Sequence, residues 1–455
     1  MSGFWYVTVI ATILGALLSA TPFYRVMGDW AADTAISIKP NGSQTAQAGA
    51  ASSDLGAETG AETGAEADNK TTANTTERNY QRATELADQA VEAYQSARDT
   101  DSEARSLAFT RQERFLWQAT LAKLATIPKS SKYYKDAGIK QRHYQRLLAT
   151  AESKLIEIDS AFLSEIIRDV GVSPQTVHVT LCQIDLPADL PADETSAQTD
   201  LVAPAALISN GKVSGTHCRH HLGEERLASA ASLIKLPIAI ALMHKVATEE
   251  IDLDSKLYVD PGNFTETAAG SQITVDKEYP LGKVMTYMIN ESNNIATNQL
   301  IDYLGRDYIT QTLDEMGYVD TYAGRKLVGD SAIPADMGDR INQATTNEIA
   351  AMMASVYTSQ TPIDKELRFA LLDQLDYEFG YDALKKMGPA VHWMGEKTGQ
   401  NDRVIGSVLA MTIGEESYVL SVALDHSGEA GALRQIIRNT ASHVLETGPL
   451  IGRPE

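Results

Sequence analysis

The sequence has few cysteines and an excess of acidic over basic residues, and each feature excludes a class of protein. Only Cys182 and Cys218 occur in 455 residues, so this is not a disulfide-rich small domain. The two could pair if their strands are neighbours outside the cytoplasm, which the sequence leaves open. Lys and Arg number 39 against 60 Asp and Glu, a net charge of −21. Phosphates would be repelled, so we expect no nucleic-acid partner.

Two N-terminal segments each lack one kind of residue. Residues 4–20 carry no charge and, with their flanks, are long enough to span a bilayer. A cleaved signal peptide is the alternative, although a basic n-region is missing and the cleavage site is poor. We expect residues 1–25 to be the anchor or signal segment, with the rest extracytoplasmic. Residues 41–76 have almost no large apolar side chain, which predicts a disordered linker over residues 26–76.

Residues 77–157 have a helical pattern, with few glycines and apolar residues recurring at intervals of three and four. Pro128 within residues 127–134 interrupts it, because proline cannot continue a helix. The pattern predicts a helical hairpin or coiled spacer of two helices, with any partner unknown.

The sequence predicts a separate domain over residues 158–455. Alternation indicates strands at residues 177–185, 205–209, 403–413 and 417–425, and the 3.6-residue period indicates a closing helix at 432–446. A Pro- and acid-rich insertion occupies residues 185–200. Strands at both ends with helices between them predict an antiparallel sheet packed with helices, an α/β sandwich.

Residues 216–221, Thr-His-Cys-Arg-His-His, resemble a metal-ligand cluster. A zinc site needs a second group of ligands at suitable spacing, and none is evident. We therefore interpret the segment as a polar strand or turn and expect no metal.

A Ser-x-x-Lys pattern occurs twice. Residues 209–212 cross an Asn-Gly turn, where serine and lysine have no fixed relation. Ser232 and Lys235 instead precede the apolar run 236–245, so they are expected one helical turn apart on the same face. Ser232 is then either the N-cap of that helix or a nucleophile activated by the lysine.

Two later clusters favour the nucleophile. Ser-Asn-Asn occupies residues 292–294 and Lys-Thr-Gly residues 397–399. With Ser232 and Lys235 in this order, residues 158–453 resemble the class A β-lactamases and, more broadly, the serine penicillin-recognising enzymes. The resemblance implies a five-stranded antiparallel sheet packed with helices.

The resemblance also implies a role for each residue. Ser232 is acylated, Lys235 accepts its proton, and Ser292 bridges to Lys397 and passes the proton to the leaving nitrogen. Asn294, Thr398 and Gly399 bind the substrate, and the backbone N–H groups of Ser232 and Gln400 form the oxyanion hole. Acceptance of the Ser232 proton by Lys235, as a general base, is expected to accelerate acylation about 10²–10⁴-fold.

The chain departs from this family at several positions. Asn293 stands where an aspartate is usual. The loop glutamate that activates the deacylating water falls on Lys326, and the asparagine that helps to hold it falls on Asp330. An arginine expected at Gly406 is missing, with Arg403 as a nearby substitute.

The intact acylation residues and the altered loop predict a membrane-anchored, extracytoplasmic serine hydrolase that forms an acyl-enzyme on Ser232 and deacylates slowly. β-Lactams or related amides are the expected substrates, and no cofactor is expected because side chains and backbone amides fill every role. A peptidoglycan D-Ala-D-Ala peptidase of the penicillin-binding type is one alternative. A non-catalytic envelope scaffold is the other.

Overall fold

The computed structural model describes residues 64–186, 208–209, 212–213, 217–266, 271–359, 361–374 and 378–450. The chain divides into two compact units, residues 1–66 and 67–455. All the features below belong to the second unit, apart from the first residues of helix α1. The expected anchor at residues 1–25 and the insertion beyond residue 186 lie outside the described residues.

Among the described residues, three helices, not two, make up the helical segment: α1 (Gly64–Asp99), α2 (Glu103–Ala125) and α3 (Tyr134–Asp159). The predicted linker was wrong at its end, because α1 begins at Gly64. Buried alanines along α1 pack against Leu116 and Trp117 of α2, and helix propagates readily once such packing holds part of it. The break that the hairpin prediction missed lies after Asp99, where Ser102 caps α2 by accepting a hydrogen bond from the Arg105 amide.

Helix α3 runs to Asp159, so the boundary predicted at residues 157/158 lies inside its last turn. One residue, Ser160, separates it from α4 (Ala161–Val170). The Ser160 hydroxyl accepts a hydrogen bond from the His220 amide at 3.0 Å. Asp159 also pairs with Arg219 at 3.3 Å. The helical segment is thus joined to the edge of the sheet at its C-terminal end.

The main sheet has five strands in the order β4-β1-β9-β8-β7, and every neighbouring pair is antiparallel, as expected. Its strands are β1 (Val177–Ile184), β4 (Cys218–His221), β7 (Val391–Gln400), β8 (Val404–Ile413) and β9 (Glu416–Asp425). Two small hairpins join β2 (Ile208–Ser209) to β3 (Lys212–Val213), and β5 (Lys256–Val259) to β6 (Lys277–Pro280). Cys182 and Cys218 face each other across β1 and β4 and form a disulfide.

Both faces of the sheet are covered, so its strands are buried almost throughout. Along β8, Val404 and Val408 contribute to one hydrophobic core, whereas Ile405 and Leu409 contribute to the other. The first core contains α5 (Lys235–Thr248), α6 (Leu281–Asn290), α7 (Asn294–Leu304), α8 (Arg306–Glu315), α9 (Thr346–Thr358) and α10 (Pro362–Leu372). The second contains α4, α11 (Phe379–Leu384) and α12 (Ala430–Thr447). The result is the predicted α/β sandwich.

Within the described ranges, one helical stretch is long and apolar enough to cross a membrane, Ala231–Thr248. It is 72% buried inside the fold and includes α5, the central helix of the first core.

Candidate active site

Ser232 lies in a single 3₁₀ turn, Ala231–Ile234, that leads directly into α5. The N-cap of α5 is Ile234, which makes no side-chain capping bond. Ser232 is therefore not the cap of that helix. Its hydroxyl instead accepts a hydrogen bond from Lys235 Nζ at 3.1 Å. The spacing of three residues places the serine and the lysine on one face, as expected.

Two backbone positions at this site hold the left-handed conformation. Ala231, directly before the nucleophile, has φ 43°, and Ser292 has φ 50°. Non-glycine residues rarely adopt this region, which costs about 1–2 kcal/mol per residue. The surrounding fold must over-determine both positions, as is common where strain orients functional side chains.

Ser292 bridges the two lysines. Its Oγ lies 3.1 Å from Lys235 Nζ and 3.1 Å from Lys397 Nζ. Both lysine side chains are fully buried. Lys235 also donates to the Ser292 carbonyl and to Asn294 Oδ1. Lys235 Nζ thus lies within hydrogen-bond distance of the Ser232 hydroxyl, the distance that transfer of the serine proton to a general base requires.

The turn between α6 and α7 carries the Ser-Asn-Asn cluster, residues 292–294. The contacts of Asn293 explain why asparagine stands where an aspartate is usual. Its Oδ1 caps α7 by accepting from the Ala296 amide at 3.1 Å. Its Nδ2 donates to Ser271 Oγ at 2.8 Å and faces Glu291 Oε2 at 3.4 Å. An aspartate here would place a second carboxylate beside Glu291. Asparagine therefore suits this environment better.

The edge strand β7 carries the Lys-Thr-Gly cluster, residues 397–399. Gly399 lies against the nucleophile turn: a Cβ on it would come within 2.8 Å of the Leu233 amide nitrogen and 3.1 Å of that of Ser232. Only glycine permits this approach. Gln400 follows as the last residue of β7 and pairs with Ile405. The strand edge and the Ser232 amide thus lie side by side, the arrangement that the family resemblance implies for the oxyanion hole.

Gln374 was not predicted. It follows α10, is 1% exposed, and its amide oxygen accepts from Lys397 Nζ at 3.3 Å and from the Thr398 amide at 3.2 Å. Its amide nitrogen donates to Thr398 Oγ1. Nothing in the local sequence signals this residue, because only the packing of α10 on β7 brings it to the site.

Lys326, the position matched to the loop glutamate, has a structural role. Its ammonium is 3% exposed and donates to Asp302 at 2.8 Å and to the Ala335 carbonyl at 2.8 Å. Asp330, the other expected position, is exposed. The hydroxyl and the amide of neighbouring Ser331 donate to Glu266, and these hydrogen bonds lower the pKa of that carboxyl.

Asn298 fastens this loop to the site. Its side chain accepts from the Leu327 amide at 2.7 Å and donates to the Leu327 carbonyl at 2.9 Å. Asn294, one helical turn earlier, donates to the Val328 carbonyl at 3.2 Å. The residue that the loop holds closest to Asn294 and Asn298 is thus Leu327 or Val328, not Lys326. The four-residue spacing of the two asparagines on one helix face was the available sequence signal.

Two buried titratable groups, Glu396 and His178, have raised pKa values. Burial raises the pKa of Glu396, the neighbour of Lys397, to about 7, although its carboxylate accepts from Ser407 Oγ at 2.7 Å and from the Gly380 amide at 2.8 Å. Burial alone lowers the pKa of His178, but its hydrogen bonds to Asp425 and to a backbone carbonyl outweigh this and raise it.

Asp425 also accepts from the Ala228 amide at 2.9 Å. This contact ties the segment before Ser232 to the end of β9.

The remaining expected positions lie as follows. Gly406 faces Gly399 across β7 and β8, and Arg403 is exposed in the turn that joins these two strands. Residues 218–221 form strand β4, as interpreted, and His221 bonds to Ser164 and to the Pro174 carbonyl. In the part of the chain that the structure describes, no group of three His, Cys, Asp or Glu side chains could hold a metal ion.

Comparisons with known proteins identify similar sequences and structures. A family model described as the beta-lactamase enzyme family matches residues 214–447. A beta-lactamase of Bacteroides uniformis is 26% identical over 186 residues, which cover 38% of this chain and 60% of that protein. The chain therefore matches about three fifths of this curated relative.

Solved structures are also similar. A beta-lactamase from Sphaerobacter thermophilus has a TM-score of 0.47 at 20% identity, covering 64% of this chain and 98% of the other. A PBP-A variant in an acyl-enzyme complex with penicillin G has a TM-score of 0.47 at 20% identity, covering 62% and 96%.

Proposed function

Because this chain belongs to the beta-lactamase enzyme family, we propose that it is a serine hydrolase that β-lactams or related amides acylate at Ser232 and that releases the acyl group slowly. One observation carries the proposal. Lys235 Nζ lies 3.1 Å from the Ser232 hydroxyl, and Ser292 bridges it to Lys397 inside a buried network. This is the geometry of a nucleophile beside its base.

Acylation then proceeds with two proton transfers, one from Ser232 and one to the leaving nitrogen. Ser232 Oγ attacks the substrate carbonyl while its proton passes to neutral Lys235, and the Ser232 and Gln400 amides stabilise the oxyanion. The C–N bond breaks, and the proton returns through Ser292 to the leaving nitrogen. The product is an ester on Ser232.

Deacylation requires a water molecule and a base to activate it. The loop residues expected to supply that base are Lys326, whose ammonium is paired with Asp302, and Asp330, which is exposed. Loss of a general base from one step costs about 10²–10⁴-fold. The ester is therefore expected to persist.

The same loop supports the alternative of a D-Ala-D-Ala peptidase of the penicillin-binding type. An acyl-enzyme that reacts poorly with water can transfer its acyl group to an amine instead. Exposed Val328, whose carbonyl bonds to Asn294, would then contact an apolar acceptor or side chain.

An extracytoplasmic location remains part of the proposal. The Cys182–Cys218 disulfide supports it, because disulfides persist mainly in oxidising compartments. The uncharged segment 4–20 supports membrane attachment.

Intact-protein mass spectrometry of the full chain, followed over time after addition of a penicillin, tests the proposal. We expect a persistent adduct that is absent from Ser232→Ala and present in Ser209→Ala, which alters the other Ser-x-x-Lys copy. A transient adduct with released product would mean that another group drives deacylation. No adduct on the folded protein would favour a narrow peptidase or a non-catalytic scaffold.

A further inference from the structure

Basic residues are concentrated in one part of an acidic chain. Over the whole sequence Lys and Arg number 39 against 60 Asp and Glu, yet residues 123–146 contain seven Lys or Arg and one acidic residue, Asp136. This stretch comprises the end of α2, the turn that follows it and the first half of α3. Asp136 is itself engaged, because its carboxylate accepts from Tyr80 and lies 3.6 Å from Lys140 Nζ. The positive charge of the stretch is therefore not offset within it.

Cations and one apolar side chain of this stretch share a surface. Residues 135, 139, 142 and 146 recur at intervals of four and three, which places them on one face of α3. The turn directly before α3 adds two more lysines beside this face. We define the basic surface as the six exposed side chains at these positions: Lys129, Lys132, Lys135, Ile139, Arg142 and Arg146.

The basic surface adjoins the first half of α1. Tyr133, in the turn before α3, donates to Glu77 at 2.9 Å and stacks on Tyr80 with ring centroids 4.4 Å apart. Both partners precede the middle of α1, so the basic surface lies near the end of the helical segment where the chain enters from its N-terminal sequence. That sequence includes the uncharged residues 4–20. At the opposite end of α3, Asp159 pairs with the sheet through Arg219.

The length of α3 separates the basic surface from most of the acidic charge. The excess of Asp and Glu lies mainly beyond Asp159. Arg146, the last residue of the basic surface, lies thirteen residues before Asp159 in the same helix, about 20 Å along its axis. Exposed charges further apart than the Debye length, about 8 Å at physiological ionic strength, are largely screened. The acidic remainder of the chain therefore does not cancel the attraction of the basic surface for an anion.

We propose that the basic surface binds the headgroups of anionic phospholipids and holds the helical segment against a membrane. Each Lys or Arg near an anionic leaflet is attracted to it. Ile139, 59% exposed among the cations, adds an aliphatic side chain that enters the headgroup region, as on interfacial helices. A soluble polyanion would gain nothing from Ile139, which favours lipid. The inference adds a lipid partner to the membrane attachment proposed above and does not depend on acylation at Ser232.

The test uses the full chain carrying Ser130→Cys, labelled with an environment-sensitive fluorophore. Ser130 is exposed beside the basic surface, and the two natural cysteines are bonded to each other. The protein is mixed with vesicles of phosphatidylcholine alone, or of phosphatidylcholine and phosphatidylglycerol in equal parts, and binding is measured by flotation. We expect stronger binding and a blue-shifted emission with the anionic vesicles, both weakened by salt. Insertion of residues 4–20 alone would occur with both vesicles and would not produce this difference.

A second label reports on the other end of the helical segment. Asp101 is exposed in the turn between α1 and α2, the end at which Ser106 Oγ donates to the Ala97 carbonyl at 2.8 Å. The same fluorophore on Asp101→Cys should show no shift with either vesicle. An equal shift at both positions would mean that the protein binds lipid without using the basic surface.

Charge removal tests the surface directly. One variant combines three substitutions in the basic surface: Lys129→Gln, Lys132→Gln and Lys135→Gln. It should lower the preference for anionic over neutral vesicles about 10²-fold, which is about fivefold for each charge removed. The matched control makes the same change in net charge at three exposed lysines beyond residue 159 and should keep the preference: Lys256→Gln, Lys277→Gln and Lys386→Gln. Thermal unfolding checks that each variant is folded.

Ile139→Ser distinguishes lipid from an anionic polymer. It keeps every charge, and it should weaken binding to the anionic vesicles about 10-fold while leaving any binding of soluble polyphosphate unchanged. A fluorescence response to polyphosphate but not to vesicles would overturn the lipid assignment, as would vesicle binding that does not depend on Ile139.

Three further results would overturn the inference: no binding to either vesicle, equal binding and emission with both, or equal losses in the triple variant and its control. Adduct formation with a penicillin tests the proposed hydrolase separately. A protein that is never acylated, yet binds anionic vesicles through these lysines, would refute the proposed chemistry and support the lipid surface.

Discussion

The two sides of the candidate cleft are built differently. On the acylation side, Ser232, Lys235, Ser292 and Lys397 form a buried network in which hydroxyl and ammonium groups lie within 3.1 Å of one another. On the side of loop 323–335, the corresponding polar groups hold the loop in place instead: Lys326 pairs with Asp302, and Asn298 binds both backbone groups of Leu327. One side is arranged for proton transfer and the other for rigidity.

Under the proposed function, this difference means that acylation and deacylation depend on separate parts of the fold. The candidate acylation residues lie on the 3₁₀ turn before α5, on α5, on the α6–α7 turn and on β7, and Asn294 bonds to the loop through the Val328 carbonyl. The loop can therefore change its chemistry while acylation is retained.

The largest effect is expected for Lys235→Met. The variant removes the proton acceptor of Ser232, so the rate of adduct formation with a penicillin should fall about 10²–10⁴-fold. Time-resolved mass spectrometry measures it. Lys212→Met, in the other Ser-x-x-Lys copy, should leave the rate unchanged. Rapid labelling of folded Lys235→Met would mean that another group is the base.

Leu327→Glu places a carboxylate on the loop residue that Asn298 holds. If the loop lacks only a base, breakdown of the acyl-enzyme should accelerate by about 10²-fold, measured as the decay of the adduct and the steady-state release of product. Leu327→Gln, with the same shape and no basic group, is the control. Equal adduct lifetimes in the two variants would show that geometry, not the missing base, limits deacylation.

Glu396→Gln tests the support behind the acylation side. Folded Glu396 keeps its proton to about pH 7, whereas its ordinary pKa is 4.5, so the folded state binds more protons between these values. The free energy of unfolding should therefore fall by about 3 kcal/mol as pH rises from 4.5 to 7, and not further above it. Urea unfolding at pH 5 and pH 8 should show this extra fall in the unsubstituted protein and not in the variant. A parallel fall in both would contradict the assignment.

The smallest effect is expected for Lys326→Met, which tests the rigidity of the loop side. The change removes the cation beside Asp302, which keeps its hydrogen bond from Asn263 Nδ2 at 2.8 Å and is 34% exposed, so the cost is about 1–3 kcal/mol of unfolding free energy. Lys385→Met removes a surface ion pair with Asp382 and should change stability far less. Thermal unfolding compares the two. Similar losses would mean that the buried pair does not hold the loop.

The pattern of apolar and polar residues along the sequence predicted much of the fold. Strands β1, β8 and β9 and helix α12 follow from periodicity, because a sheet covered on both faces and a helix on its surface leave regular apolar patterns. The three-residue spacing of Ser232 and Lys235 likewise sufficed to place them in contact. The helix of residues 64–76 was missed, because its composition alone suggests no core.

The candidate cluster was predictable because each motif is local and the order of the three motifs resembles a known family, which implies that they meet although 57 and 105 residues of sequence separate them. Gln374 and the exact partner of the loop were not, because no motif marks them and their contacts arise only where α10 packs on β7 and α7 packs on loop 323–335. Propensity and spacing act along the chain and determined which residues could react. Packing of the sheet, helices and loop against each other decided which side chains orient them, since hydrogen-bond partners are chosen by distance in space.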